Sequence, residues 1–404
     1  TASCTEKGSD MNQRLRVLIA GAGLGGLCLA QGLRRAGVDV LVFERDAGPY
    51  SRAQGHRVHL DQRGEDALRA CLPEHLFDLY EATRGQPSER LMLIDAGGER
   101  LQEIPVPPLP DDTSIIRKGR AVSRSTLREI MLAGLDDVVH YGKALTGYDH
   151  DVRARFADGT HVSGDVLVGA DGIGSAVRRQ RLPQARIDDL DIRWIGGKTP
   201  VTADIERSLP DGLHNAFAAV TGMDPAMMIG YMRFGNPPPA AAERLAPGLR
   251  LTDTEDFVMW AITVQRDRLT GADAALPASG LHRRALDLTT AAHPALRRVV
   301  EQAWPEHTFH LSIGTSVPVP AWDSDHVTLL GDAIHAMPPS RGSGANTALS
   351  DAADLARHLI DAQQGRSGLP EAIGAYEHAM RERGFAAVES STRAIDAFAR
   401  KIIR

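Results

Sequence analysis

The run LRVLIAGAGLGGLCLAQGLRRAGVDVLVFER, residues 15–45, decides the fold. Leu15–Ala20 is a continuous apolar stretch that stops at glycine, which predicts a buried strand. From Leu24 to Ala36, Leu24, Leu27, Leu29 and Leu33 are separated by small residues; this predicts a helix, which Gly37 closes. Val38–Phe43 predicts a second buried strand. Strand, helix and strand in that order indicate parallel pairing. The first junction reads Gly21-Ala22-Gly23-Leu24-Gly25-Gly26, a G-x-G-x-x-G pattern. Gly21 permits a tight turn, Gly23 lets a pyrophosphate approach the backbone, and Gly26 lets the helix pack on the strand. Leu24 and Gly25 complete the predicted phosphate loop, where the helix N-terminus favours anions. Glu44 ends the second strand and places a carboxylate for an adenosine ribose. That carboxylate would repel a 2′-phosphate, which disfavours NADP in this pocket. Arg45 follows it as a further cofactor-binding candidate. This much fits FAD and NAD equally.

Two distant segments separate them. Asp165-Val-Leu-Val-Gly-Ala-Asp171-Gly172-Ile-Gly-Ser175-Ala-Val-Arg178 is a buried strand running into Asp-Gly. It sets a carboxylate at a strand's carboxyl edge, beside the nucleotide crevice. Read by itself, Asp171 could equally be a helix N-cap with a turn glycine. The other segment is Leu330-Gly331-Asp332-Ala-Ile-His335-Ala-Met-Pro338-Pro339-Ser-Arg-Gly342-Ser343-Gly344-Ala345-Asn346. An NAD dehydrogenase has no use for such a block.

With these three motifs, spread over residues 17–349, the chain resembles the aromatic-hydroxylase-like flavoprotein monooxygenases, the family of para-hydroxybenzoate hydroxylase. The resemblance implies an α/β fold: a Rossmann-like FAD-binding domain of glutathione-reductase type with an inserted mixed or antiparallel β-sheet substrate domain. It implies FAD as cofactor and NAD(P)H as a transient reductant. It also implies that O2 is activated as a flavin C4a-hydroperoxide to oxidise a small molecule. In the family the Asp matching Asp332 binds ribityl hydroxyls. Gly331, Pro338, Gly342, Gly344, Ala345 and Asn346 match the turn that brings backbone N–H groups to the pyrimidine edge. Reduced flavin is negative there, so a helix start suits it. The family often has Gln or Leu where Ser343 stands. Arg124 matches a family arginine near the flavin phosphates or ribityl chain, although with Arg120 and Arg128 nearby it also reads as one of several solvated helix arginines. Gln54–Leu60 matches a stretch that passes close to the flavin, so His59 or Arg57 would touch cofactor or coenzyme. The cofactor carries the hard chemistry, so no Ser-His-Asp or metal constellation is expected, and the catalytic residue stays unassigned. His335 could carry a proton or structure its loop, with the second reading favoured.

The three motif blocks can share one site only if a middle region is inserted between them. The expected division is 11–82, 114–185 and 315–370 for the FAD-binding domain, with 83–113 and 186–314 for the substrate domain. A C-terminal helical segment, 371–404, is expected to pack Tyr376, Ile395 and Phe398 on the body or a partner. Residues 51–64 read as irregular, Val122–Leu135 as a helix, and MMIGYMRF and FVMWAITV as strands of the substrate domain. Phe217, Met228, Tyr231 and Trp260 lie on such strands as substrate-wall candidates. Alternation means about half of them face away. Arg193 is either an anion anchor or a surface arginine.

Composition sets the outer bounds. The 404 residues, 43% hydrophobic and 24% charged, suit a globular protein of two or three domains. A net charge of −6 gives no basic surface for nucleic acid. No apolar stretch approaches a bilayer span, and polar Thr1–Asp10 reads as an arm ahead of the fold without a signal-peptide core. Cys4, Cys28 and Cys71 are too scattered for a disulfide framework or a metal site, so a cytoplasmic protein is expected. Monomer and homodimer both stay open. The Ala-, Arg-, Asp- and Gly-rich composition is similar to that of actinobacterial proteins, where such enzymes often tailor secondary metabolites; basic, phenol-like and polyketide substrates all stay open, and the resemblance leads to the expectation of a small aromatic or polyketide-like one. Other flavin enzymes of this fold are the alternatives: an epoxidase, a reductase or a halogenase. A halogenase would carry Trp-x-Trp-x-Ile-Pro, whereas residues 256–264 offer Trp260 alone. A flavin-binding protein without turnover is the reading outside enzymes.

Overall fold

The computed structural model describes residues 14–51, 55–87, 90–97, 100–105, 118–209, 213 and 216–402, without the side chains of residues 90, 100, 101, 104 and 105 and those beyond residue 396. Thr1–Asp10, Gln54 and the Phe398 side chain therefore lie outside the described residues.

A five-stranded parallel sheet forms the first layer, in the order Val327–Leu329, Val166–Gly169, Arg16–Ala20, Asp39–Phe43, Val139–His140. Its central residues Val17, Leu18, Ile19, Leu167 and Val168 are fully buried, as both faces of a helix-covered parallel sheet require. Helix Leu24–Arg35 lies on it, against helix Gly344–Gln363. The C-terminal helix Leu369–Ile402 packs on Gly344–Gln363, with Ile373, Tyr376 and Met380 buried in the same core; the Tyr376 hydroxyl donates to the Leu329 carbonyl at 2.8 Å.

The second layer is a seven-stranded mixed sheet: Phe309–Ser316, Ile187–Pro200, Phe257–Gln265, Ala226–Met232, Ala216–Val220, Arg90–Ile94, Arg100–Pro105. All neighbours are antiparallel except Ala216–Val220 with Arg90–Ile94. Side-chain alternation gives the sheet two faces. Ile195, Ala218, Ile229, Tyr231, Val258, Trp260 and Ile262 share a core with residues of helices Ala203–Ser208, Ala278–Leu288 and Pro294–Glu301. Phe217, Met228, Gly230, Met259 and Lys198 lie on the other face, toward the parallel sheet.

Between the layers runs a two-stranded antiparallel ribbon, Arg57–Asp61 with Gly119–Ser123. It corrects two sequence expectations. Residues 51–64 are not irregular throughout: Arg57–Asp61 is a strand, and Asp61 caps helix Gln62–Cys71 by accepting the Arg63 N–H at 3.0 Å. The strand is specified by a partner some 60 positions away, which a local pattern cannot show. The helix expected from Val122 starts at Arg124, because Ser123 is its cap and accepts the Thr126 N–H at 3.2 Å.

Candidate functional site

The glycine loop has the properties that a pyrophosphate needs. Gly21 sits at φ +107°, and a Cβ there would meet the Ala170 carbonyl oxygen at 2.4 Å. A Cβ on Gly26 would lie 2.1 Å from the Gly21 oxygen, so helix and strand could not close together. At Gly23 the same Cβ would meet nothing within 4 Å. That position is open space, and a side chain there would fill it. Gly23 is also the N-cap of its helix and supplies no side-chain bond, so a ligand can take the first-turn N–H groups of Leu24 and Gly25. Glu44 is buried and accepts the Ala22 N–H at 2.9 Å and the Asp46 N–H at 3.0 Å, which fixes its carboxylate beside the loop. Arg45 is exposed at the strand end.

Arg128 is a residue that the sequence reading passed over as a solvated helix arginine. It is buried, donates from Nε to the Ala22 carbonyl at 3.1 Å and from Nη1 to Pro49 at 2.7 Å, and leaves Nη2 buried without a partner. Its position four residues after Arg124 places both on one helix face, which is the signal that could have found it.

Asp171 is not the N-cap of the following helix. Ser175 caps Ala176–Arg181 by accepting the Arg178 N–H at 2.9 Å, while Asp171 Oδ2 accepts the Ala176 N–H at 2.7 Å. Oδ1 of Asp171 is buried with no partner. Arg178 donates to the Ala333 carbonyl at 2.8 Å and to Ile173 at 2.9 Å, which ties this segment to the Asp332 loop.

Gly331, at φ +61°, turns the chain after Val327–Leu329 and presents Asp332. Asp332 stays accessible from the crevice, yet the protein crowded around it raises its carboxyl pKa, against the opposing pull of His335 and Arg124. Pro338 opens a 3-10 turn over Pro339–Arg341, and Gly342 follows in the left-handed region at φ +61°. Helix Gly344–Gln363 then begins without a side-chain cap, so the N–H groups near Gly344 and Ala345 face a second anion-friendly start. Asn346 does something the resemblance did not imply. It is fully buried, accepts the Asp61 N–H at 2.9 Å, and donates to His59 O at 2.8 Å and Gly342 O at 2.9 Å. It thereby bolts the ribbon to the loop and brings His59 against Gly342, where an added Cβ would lie 3.1 Å from His59 Cβ. His335 has the loop-structuring role. It is buried and bonded at 2.5 Å to Asp351, which also accepts from Gly331 N–H and Arg383. Burial opposes its charged form, but Asp351 prevails and raises its pKa.

The four wall candidates divide. Phe217 and Met228 face the ribbon: the Arg57 guanidinium lies 5.7 Å from the Phe217 ring, and its Nε donates to the Tyr231 carbonyl at 2.9 Å. Burial lowers the Arg57 pKa to about 10, so it stays cationic at neutral pH. Trp260 and Tyr231 point the other way, into the helix-covered core, and neither lines the crevice. Trp260 is fully buried, with its indole N–H on Thr199 Oγ1 at 3.1 Å. The physical reason is strand parity: Trp260 pairs with Ile229 and Tyr231 with Val258, all on the core face. Arg193 is not an anion anchor, since Asp189 occupies its guanidinium at 2.6 and 2.8 Å. Among the described residues no His/Cys/Asp/Glu group is placed to hold a metal, and no helix is long and apolar enough to cross a membrane.

The open Gly23 position, two uncapped helix starts and the orphaned Asp171 Oδ1 together fit a long, anionic, hydroxyl-bearing cofactor. Known proteins agree. A family profile described as "FAD binding domain" matches residues 14–69 and 305–391. The dual O-methyltransferase/FAD-dependent monooxygenase CTB3 of Cercospora beticola is 32% identical, covering 91% of this chain and 44% of its own length. The chain thus spans less than half of that two-function relative. The FAD-dependent monooxygenase dbaB of Emericella nidulans is 31% identical, over 86% of this chain and 87% of its own. Among solved structures, 2,6-dihydroxypyridine-3-hydroxylase from Arthrobacter nicotinovorans superposes with a TM-score of 0.74 at 20% identity, over 96% of this chain and 93% of its own, which shows the shared fold. By sequence along nearly its whole length, this chain belongs to the FAD-dependent monooxygenases.

Proposed function

We propose that the chain hydroxylates a small aromatic or polyketide-like molecule of secondary metabolism, with NAD(P)H as electron donor and O2 as oxygen source. Bound FAD would supply the redox chemistry, taking hydride from the nicotinamide and activating oxygen. The chain's own residues bind, orient and exclude water. Leu24 and Gly25 offer backbone N–H groups to the pyrophosphate, Glu44 an acceptor to the ribose, and Asp332 an acceptor to the ribityl chain. Arg124 is near enough for its positive charge to oppose the rise in the Asp332 carboxyl pKa. The helix start at Gly344 and Ala345 would stabilise negative charge on the reduced ring. Phe217, Met228 and Met259, on the sheet face away from the helix-covered core, would supply apolar surface to the substrate, with the Arg57 guanidinium 5.7 Å from the Phe217 ring.

The observation that carries this reading is that three distant blocks meet: Arg178 joins the Asp171 segment to Ala333, and the glycine loop packs on both, Gly21 against Ala170 and Gly25 against Leu330. The test has two stages. The purified protein should show the absorption bands of oxidised flavin, or acquire them from added FAD. It should then consume NADH or NADPH faster with an aromatic or polyketide-like phenol present, and convert the phenol to a product carrying one labelled oxygen atom from labelled O2. A colourless protein that refuses FAD overturns the reading, as does a product without the label.

A further inference from the structure

Lys198 and Asp253 form an ion pair at 2.6 Å whose side chains are only 6% and 7% exposed. Burying two charges costs several kcal/mol per ion before their attraction is counted, and well-packed apolar residues often do as well. Stability alone is therefore a poor reason for this pair. Its surroundings supply a better one. Asp253 Oδ2 accepts from Ser123 Oγ at 2.5 Å and from Ser125 Oγ at 2.6 Å. These two serines flank Arg124, and Ser123 is the cap of the helix that Arg124 begins. The backbone N–H of Arg124 is itself held by the His56 carbonyl at 2.8 Å. His56 in turn sits against His307 O at 2.6 Å and the Phe309 ring at 5.2 Å. Lys198, at the other end, belongs to the seven-stranded sheet, on the face toward the crevice. Its ammonium lies 5.1 Å from the Phe257 ring and 5.5 Å from Trp304, a seat lined with aromatic faces.

We propose that Lys198 and Asp253 are positioning residues for Arg124: the pair anchors the serine clamp on either side of Arg124 to the substrate-domain sheet and so fixes the course of its side chain past Gly55, toward where the ribityl–phosphate stretch of FAD would lie. The inference rests on the reading of Arg124 as a cofactor contact. Asp253 is the hub, since it alone joins the lysine to both hydroxyls. The consequence is that a substrate-domain sheet residue, remote in sequence from the nucleotide motifs, controls cofactor affinity.

The experiment measures FAD affinity of the apoprotein by flavin fluorescence quenching, with the apoprotein melting temperature recorded alongside. Arg124→Ala should weaken FAD at least about tenfold, the equivalent of about 1.4 kcal/mol. Asp253→Asn, which leaves Lys198 uncompensated, should weaken FAD to a similar degree and also lower the melting temperature. Ser125→Ala keeps the helix cap and both charges, so it should weaken FAD severalfold while melting like the parent. Ser125→Thr restores the hydroxyl and should restore affinity. A purely structural pair would lower the melting temperature in Asp253→Asn and leave FAD affinity in Ser125→Ala untouched; that result overturns the proposal even if Asp253→Asn fails to fold. If Arg124→Ala itself binds FAD like the parent, the underlying reading of Arg124 fails first, and that arm identifies the failure.

Discussion

The carboxylates of the crevice are not equivalent. Asp332 stands exposed at the start of helix Asp332–His335 within the third motif, whereas Glu44 is already committed to two backbone N–H groups. Asp332→Ala should lose most bound FAD, and Glu44→Ala should lose less, because the ribose contact is one of many; flavin content after gel filtration measures both. Asn346→Ala would leave the Asp61 N–H and the His59 and Gly342 carbonyls short of partners inside the protein, costing about 2–4 kcal/mol by the usual penalty for buried unmet groups. Denaturant unfolding of the apoprotein reads that cost directly. His335 gives a pH signature. Its folded pKa is raised, so its stabilising charge is fully present below the ordinary imidazole value and is lost as pH rises through the raised one. The melting-temperature gap between parent and His335→Gln should therefore be largest in mild acid and narrow above neutrality. A constant gap would assign the whole effect to packing. At this scale the sequence was legible where a residue type has one physical use, as with glycines in the phosphate loop. It was not legible for Arg128 or Asp253, whose partners come from loops and distant strands.

Single elements separate folding from binding. Gly26 and Gly23 lie in one loop, but a Cβ collides with the Gly21 oxygen at the first and meets open space at the second. Gly26→Ala should lower the melting temperature of the apoprotein. Gly23→Ala should melt like the parent and yet bind FAD poorly, because its methyl occupies the volume where a pyrophosphate approaches. Equal damage to apoprotein stability in both variants would remove the phosphate assignment. The strand–helix–strand opening was readable because its strands are almost wholly apolar runs, its helix is periodic, and glycine punctuates them. The ribbon strand Arg57–Asp61 was not: it is no shorter, but Arg57, His59 and Asp61 break its apolar run, and it owes its existence to pairing with Gly119–Ser123.

Across the whole molecule, the seven-stranded sheet serves two masters, a helix-covered core on one face and the crevice on the other. Trp260→Ala should therefore destabilise by about 3–5 kcal/mol, the range for deleting a large buried side chain. Met228→Ala should cost less stability and raise KM for the substrate, and steady-state kinetics beside unfolding curves distinguish the two. Sequence showed that strands were present here and that half of the candidates would face away. It could not show which half, because a register of one residue reverses every side chain. The order of the parallel sheet carries a last consequence. Its strand Val327–Leu329 is the final one synthesised, yet it pairs directly with Val166–Gly169 and leads into the Asp332 loop. A nascent chain emerging from the ribosome must hold the earlier strands in an unfinished state until this one arrives. Capture of the yellow cofactor then waits on that strand, and a polypeptide stopped short of it should leave the ribosome without it.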